Sequence, residues 1–173
     1  MANLVDALGS RTRKEYVLRT LLQKYPLPHE VVILDCPGTQ SLMTTNALAA
    51  STHLLIPIQL EVKIKTVPEL ITWCSKAGEE LELNPKPSIL GIIPNNYNKE
   101  ASLHRQNLEQ LPAVARAMGI KLYPEIPALK YLATASAIGV PLRKYRPGDS
   151  ICQSTFQALE AIASDIQNIM ISG

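Results

Sequence analysis

EVVILDCPGT, residues Glu30–Thr39, is the stretch that decides the fold class of this 173-residue chain. Its aliphatic run, Val31 to Leu34, does not alternate with polar residues, as is typical of a strand buried on both faces of a parallel sheet. The run stops at Asp35, and Pro37-Gly38 supplies a turn that ends a strand. Because open α/β sheets bind ligands beyond the carboxyl ends of their strands, Asp35 is a candidate site residue. The alternative is that Asp35 only caps the helix that follows.

Further strand-like segments alternate with helical patterns along the rest of the chain. Strands are expected at His53–Ile58, Ser88–Pro94 and Lys121–Ile126. Helices are expected from Ser10 or Thr12 to Lys24, from Thr39 or Ser41 to Ser51, and over Thr66–Leu83, Ala101–Met118, Ala128–Ile138 and Ser150–Ile171, with a basic loop at Gly139–Pro147. Pro112 is expected to kink or split its helix, and Gly119 to follow that helix as its C′ residue. The pattern predicts a single α/β domain, residues 1–173, with a mainly parallel sheet flanked by helices.

Composition narrows the function classes. A formal net charge of +2 does not by itself indicate a nucleic-acid binder, so such a role needs basic residues clustered on one face. The three cysteines are widely spaced and, with the three histidines, show no paired spacing, so neither a disulfide framework nor a metal site is expected. No apolar run reaches the length of a membrane span and no signal peptide is visible. We therefore expect a cytoplasmic protein without a membrane partner.

The order of these segments resembles the ParA/MinD family of partition ATPases, whose P-loop is a deviant form. VVILDCPGT matches that family's "hydrophobic run, Asp, x, Pro" segment, and TNALAASTHLLIPIQLE, GIIPNNYN and IPALKYLATASAIGVPLRKYRP are similar to the segments that follow it. The resemblance implies a P-loop NTPase-like fold with ATP and Mg²⁺ as cofactors. It assigns Asp35 the catalytic position that organises the magnesium and the attacking water, and Pro37 and Gly38 the switch that responds to the γ-phosphate.

Asn95-Asn96-Tyr97-Asn98 follows the third predicted strand, where nucleotide-binding relatives carry an Asn-Lys-x-Asp-like base-recognition segment. An amide can pair with the adenine edge as donor and as acceptor, so Asn95 and Asn98 are candidate nucleotide ligands. The alternative is an ordinary turn, in which Asn is common. The resemblance also implies that Pro127 packs its loop against adenine.

The best basic cluster comprises Lys130, Arg143, Lys144 and Arg146, and its segment is similar to a family region associated with non-specific DNA binding. Binding to a phosphate backbone needs several cations on one face and reads no sequence. By resemblance, the expected partners are DNA, a second copy of the chain in a homodimer, and a ParB-like or cargo adaptor protein.

The glycine-rich P-loop with its lysines, which cradles the phosphates in this family, does not occur in these 173 residues. We therefore expect most ATP affinity and nearly all hydrolysis to be lost, which leaves the chain's status as an enzyme open. The strand that carries the P-loop is central in the family's sheet, so we also expect a gap or an exposed edge. The chain is then a truncated product, a degenerate paralogue, or a protein that repairs its sheet by dimerising.

Two further hypotheses stand beside an ATPase-derived partition protein. One is a non-enzymatic module that binds DNA, itself or an intact ParA-type relative. The other is an unrelated α/β enzyme that uses Asp35 and Asn95, although no nucleophile or base is visible beside them.

Overall fold

The computed structural model describes residues 13–61, 64 and 66–172, the last without its side chain. In chain order the elements are a 3-10 turn Lys14–Tyr16, α1 Val17–Lys24, α2 Leu42–Ala50, β1 His53–Gln59, α3 Thr66–Glu80, β2 Ser88–Asn95, α4 Ser102–Ala117, α5 Leu132–Ala137, α6 Leu142–Tyr145 and α7 Ser150–Ser172. The predicted class, a parallel sheet flanked by helices, is confirmed. None of the helices within the described ranges is long and apolar enough to cross a membrane.

The sheet pairs β1 with β2, and β2 is bonded on its other side to residues 121–128. That third segment runs parallel to β2, with bridges between Ile92 and Leu122 and between Tyr97 and Pro127. The predicted strand Lys121–Ile126 therefore lies where a strand was expected but forms isolated bridges and not a continuous ladder. The physical reason is that Pro124 and Pro127 have no N–H to donate to a ladder.

The predicted buried strand at Val31–Leu34 is wrong for the structure described. Residues 26–41 form neither helix nor strand, and Val31 and Val32 are each 43% exposed while Ile33 is 84% exposed. An extended segment becomes a strand only when a neighbour pairs with its N–H and C=O groups. No segment among the described residues pairs with this run, so its apolar side chains stay partly exposed, and that of Ile33 largely so.

The helix boundaries differ from the predictions by a few residues. α3 ends at Glu80 and not at Leu83, α5 starts at Leu132 and not at Ala128, and the predicted loop 139–147 contains the short helix α6. α4 runs unbroken through Pro112, which is exposed, so water can satisfy the carbonyl group that the missing N–H leaves free. Gly119 has the left-handed φ of 65° that its predicted C′ position requires. The predicted caps Ser10 and Thr12 lie outside the described residues.

Two compact units make up the chain. Among the described residues, the first unit comprises 13–54 and 69–89, and its apolar core contains Leu48, Ala49, Ala77 and Leu83. A buried asparagine, Asn46, ties the start of α1 to α2: its Nδ2 donates to the carbonyl of Lys14 (2.8 Å), and its Oδ1 accepts from the N–H of Leu18 (3.1 Å). One polar side chain thus satisfies the N–H of Leu18, a group that a helix start leaves unpaired, and also the carbonyl of Lys14 in the preceding 3-10 turn.

The second unit comprises residues 55–68 and 90–173 and contains most of the sheet. Its core cluster is formed by Ile93, Tyr123 and Ile162, so α7 packs on the strands. The start of α7 is capped by Asp149, whose Oδ1 accepts the N–H groups of Ile151 and Cys152, each at 3.0 Å. This unit presents the carboxyl ends of β1 and β2, where a ligand of a parallel sheet would bind.

Candidate functional site

Polar side chains follow β1 and β2 at the sheet edge of the second unit. Glu61 lies two residues beyond the end of β1, and Asn96 comes directly after β2. The Nδ2 of Asn96 donates to Oε1 of Glu61 at 2.9 Å, so the two loops are joined by a side-chain hydrogen bond. Asn96 has a φ of 58°, a left-handed conformation that asparagine adopts more readily than most residues.

A buried histidine on α4 contacts the two loops that carry this pair. His104 is 6% exposed, and its Nδ1 accepts the backbone N–H of Asn98 at 3.1 Å. Its Nε2 faces Oε1 of Glu61 at 3.6 Å. Asn107, one turn further along α4, donates from Nδ2 to the carbonyl of Leu60 at 2.7 Å. α4 therefore holds the loops after both strands by side-chain contacts.

The structure brings the predicted nucleotide ligands Asn95, Asn98 and Pro127 to one region. Asn95 is the last residue of β2, and the adjoining Tyr97 pairs with Pro127 in a parallel bridge. The N–H of Ala128 donates to the carbonyl of Tyr97 at 2.8 Å, which fixes this pairing. Asn98 also forms a turn, because its Oδ1 accepts the N–H of Glu100 at 3.0 Å. The turn alternative thus describes the local geometry of Asn98, and a turn leaves the Nδ2 group free to bind a ligand.

Asp35, Pro37 and Gly38 belong to the first unit and lie on the exposed segment that precedes α2. α2 is capped by Ser41, whose Oγ accepts the N–H of Thr44 at 3.3 Å, so the alternative in which Asp35 caps this helix is wrong. The Oγ1 of Thr44 donates to the carbonyl of Thr39 at 2.6 Å and holds the end of the segment. Burial, and to a lesser extent the charge of Asp35, raises the pKa of the neighbouring Cys36 thiol. The thiol is therefore protonated at neutral pH.

The predicted basic cluster lies on and around α5–α7, and its members differ in their surroundings. The guanidinium of Arg143 donates to Oε1 of Glu160 and lies 5.0 Å from the ring centroid of Phe156. Arg146 lies over two rings, 4.8 Å from that of Tyr131 and 5.5 Å from that of Tyr145. Lys130 and Lys144 are exposed, and neither has an ion-pair partner within the described ranges. The available positive charge is therefore smaller than the sequence indicates.

The sequence places Glu61 with Gln59 and Leu60 beyond a predicted strand, at the edge of the sheet where a ligand is expected, but it assigns Glu61 no role. His104 was missed by sequence reasoning. It gives no signal in the sequence, since it lies within an ordinary amphipathic helix and reaches the loops only in the folded chain. The expectation of no metal site was based on spacing, and within the described part of the chain no cluster of three or more His, Cys, Asp or Glu residues forms.

Residues 1–87 of the chain match the family model described as an AAA domain. The chromosome partitioning protein ParA of Caulobacter vibrioides (strain NA1000 / CB15N) is 28% identical over 142 residues, which are 80% of this chain and 51% of that protein. The "Uncharacterized protein MJECL24" of Methanocaldococcus jannaschii is 25% identical over 142 residues, 78% of this chain and 49% of that protein. The chain spans about half the length of the curated relatives it matches.

Solved structures share the fold. Cobyrinic acid a,c-diamide synthase from Mycobacterium smegmatis, with bound ATP analog and magnesium, is 27% identical and superposes with a TM-score of 0.60 over 86% of this chain and 61% of that chain. The ATP complex of a McdA variant from Cyanothece superposes with a TM-score of 0.76 at 18% identity, over 96% of this chain and 62% of that chain. At that identity the second likeness shows the fold alone.

Proposed function

This chain belongs to the ParA/MinD-type family of partition ATPases, within the AAA domain family, and from this we propose that it takes part in partitioning or positioning DNA or another large cargo. The observation that carries the proposal is the sheet edge of the second unit, where Asn95 ends β2, Asn98 lies in the loop that follows, and Pro127 forms a parallel bridge with Tyr97. Amide groups and a proline-containing loop at the carboxyl ends of parallel strands suit the edge and face of an adenine base.

In the first unit, taken by itself, Asp35 suits a ligand of Mg²⁺. Its side chain is exposed and has no hydrogen-bond partner among the described residues, so its carboxylate is free to join the oxygen ligands of Mg²⁺. Pro37 and Gly38 follow it, and a Cβ added at Gly38 would meet nothing within 4 Å, which leaves room for a phosphate. When bound, Mg²⁺ would neutralise phosphate charge at this segment.

The triphosphate itself fits these residues poorly. A phosphate cradle needs successive backbone N–H groups in a glycine-rich loop together with a lysine, and the 173 residues contain no such motif. We propose that this chain, by itself, binds Mg-ATP too weakly to be stabilised by it and does not hydrolyse ATP, although each unit taken alone carries residues suited to a nucleotide or to Mg²⁺.

Thermal unfolding of the 173-residue chain with and without Mg-ATP tests this part of the proposal. A ligand present at 100 times its Kd stabilises the folded state by about 2.7 kcal/mol, which shifts the Tm by several degrees. We expect no rise in Tm at millimolar Mg-ATP and no release of phosphate. A clear rise in Tm, or phosphate release above that of a denatured sample, would contradict it.

Non-specific DNA binding is supported by Lys130, Lys144 and Arg146, which are exposed and carry no carboxylate partner among the described residues. We expect binding that weakens with salt, with the slope of log K against log salt near −0.9 per phosphate contact, or about −3 for these cations. Lys130→Ala and Lys144→Ala should each weaken binding and reduce the slope by about 1. Lys76→Ala, an exposed lysine of α3, is the control. Affinities that are equal in all variants would exclude this surface.

A non-enzymatic dimerisation module is the second candidate function, and the exposed run at Val31, Val32 and Ile33 favours it. Aliphatic side chains in water beside unpaired backbone groups are a template for pairing with another chain. We propose a second copy of this chain as the partner. Light scattering after size exclusion, with and without Mg-ATP, tests it: a dimer that ignores nucleotide is expected, and a monomer in both conditions would exclude it.

A further inference from the structure

One buried imidazole connects the loops that follow two neighbouring strands. His104 projects from the first turn of α4, and both of its ring nitrogens face polar groups. Nδ1 lies 3.1 Å from the backbone nitrogen of Asn98, in the loop after β2, and Nε2 lies 3.6 Å from Oε1 of Glu61, after β1. Burial of a polar side chain is costly unless such partners are present, so both contacts matter to the stability of this position.

The contacts define the tautomer of the ring. A backbone N–H can only donate, so Nδ1 must accept and carries no proton. In the neutral imidazole the proton is then on Nε2 and points toward the carboxylate of Glu61. Glu61 in turn accepts the Nδ2–H of Asn96 at 2.9 Å. The result is a continuous polar chain from Asn96 through Glu61 and His104 back to the backbone of Asn98.

We propose that His104 is a positioning residue for the loop Asn95–Asn98. By accepting the Asn98 N–H it sets the backbone of this loop, and through Glu61 it supports the left-handed conformation of Asn96, whose φ is 58°. Asparagine tolerates the left-handed region, and the hydrogen bond from Asn96 to Glu61 fixes it in this conformation. A nucleotide would then meet Asn95 and Asn98 in a single fixed orientation, and this consequence rests on the proposed function. The ordering of the loop by His104 does not depend on that function.

Substitution of His104 by asparagine or by glutamine distinguishes a positioning role of this residue from a space-filling one. In the H104N variant the side-chain oxygen can occupy the place of Nδ1, so the Asn98 N–H keeps its acceptor. In the H104Q variant the amide lies near the place of Nε2, so Glu61 keeps a donor but Asn98 loses its acceptor. If His104 only filled space, the larger glutamine would be the better replacement, and the order of the two variants would be reversed.

Amide hydrogen exchange followed by NMR gives the readout at the Asn98 N–H. Loss of one net hydrogen bond should accelerate exchange about 3- to 10-fold in the H104Q variant, while the H104N variant should stay within about twofold of the unmodified chain. Equal exchange rates in the two variants, or faster exchange in H104N than in H104Q, would overturn the proposal.

The unmodified protein supplies a measurement that does not depend on how the variants fold. The ¹⁵N shifts of the His104 ring at neutral pH should show Nε2 protonated and Nδ1 unprotonated, and the opposite tautomer would overturn the proposal. Neither measurement involves nucleotide. Stabilisation by Mg-ATP or release of phosphate would therefore count against the proposed function alone, and loss of the His104 effect would count against this inference alone.

Discussion

At Gly91 the absence of a side chain allows β2 to lie against a buried tyrosine. A Cβ at this position would lie 2.8 Å from Cδ2 of Tyr123 and 2.9 Å from the carbonyl oxygen of Lys121. Neither neighbour can move easily. The ring is 2% exposed and its hydroxyl donates to Asp165, and the carbonyl of Lys121 accepts the N–H of Ile92 in the pairing of β2 with residues 121–128.

Gly91→Ala should therefore destabilise the protein by about 1–3 kcal/mol, as overpacking of a core usually does. Gly78→Ala is the matched control. It lies within α3, its Cβ would meet only the flexible side chain of Lys86 at 3.7 Å, and alanine in a helix should stabilise by about 0.5–1 kcal/mol. Urea unfolding of both variants measures the difference. A stability of the Gly91 variant equal to that of the unmodified chain would contradict the tight packing described.

Asp165 joins α7 to the segment 121–128 and should make the stability of the folded protein depend on pH. Hydrogen bonds from Lys121 first, and from Tyr123 second, hold the pKa of this carboxyl below its ordinary value. A carboxyl whose folded pKa is depressed contributes stability above its unfolded pKa of about 3.9, and that contribution is lost as pH falls through the folded pKa. Burial first, and the bond to Asp165 second, raise the pKa of the Tyr123 phenol, which stays protonated.

Asp165→Asn should lower the Tm at pH 6 and have progressively less effect as the pH falls below 4. Thermal unfolding from pH 7 to pH 3 measures the difference between the variant and the unmodified chain. Asp35→Asn, which removes an exposed carboxylate without a partner in the described chain, controls for the change in net charge. A difference in Tm for Asp165→Asn that is constant over this pH range would exclude the ionised carboxylate as its cause.

At the scale of elements, α6 and α7 together set how much positive charge the basic cluster presents. Arg143 on α6 donates a hydrogen bond to Glu160 on α7, and its guanidinium also lies over the ring of Phe156. Both side chains of this ion pair are mostly exposed, so the pair adds little to stability. Its effect is instead electrostatic, because Glu160 places a negative charge beside a surface proposed to bind phosphates.

Glu160→Gln should therefore strengthen DNA binding severalfold and make the salt slope steeper by about 1, since Arg143 becomes available to a phosphate. Glu109→Gln removes the same charge from an exposed position on α4 and is the matched control. Fluorescence anisotropy with a duplex of arbitrary sequence at several salt concentrations gives both quantities. Equal strengthening by the two variants would mean that net charge alone, and not the α6–α7 ion pair, controls binding.

On the scale of the whole molecule, the exposed run Val31–Ile33 is the surface through which we propose that two copies of the chain associate. Ile33→Asp should abolish the proposed self-association, because a charge cannot be buried in an apolar strand pairing without a partner. Ile171→Asp provides a control of the same chemistry, since Ile171 near the end of α7 is likewise 84% exposed. Mass measured by light scattering should fall from dimer to monomer for Ile33→Asp only. A loss of mass in both variants would assign the association to general hydrophobic contact.

Periodicity and turn chemistry in the sequence determined most of the elements. α2, β1, α3, β2, α4 and α7 lie where the pattern predicts them, and Gly119 ends α4 as its position requires, because these features depend on residues close in sequence. The strand-end position of Asn95 was also a local inference and is confirmed, whereas the expected strand before Asp35 is absent from the described residues. Their assignment to magnesium and adenine stays a prediction.

Tertiary structure alone decided what depends on residues distant in sequence. Val31–Leu34 has the composition of a strand, but a strand also needs a paired neighbour, and none of the described segments supplies it. The sequence indicates a free cation at Arg143, but folding places Glu160 beside it. It indicates an ordinary helix residue at His104, but folding places this side chain between Glu61 and Asn98. Composition records which groups a chain carries, whereas pairing, burial and charge neutralisation arise only from contacts that the fold creates.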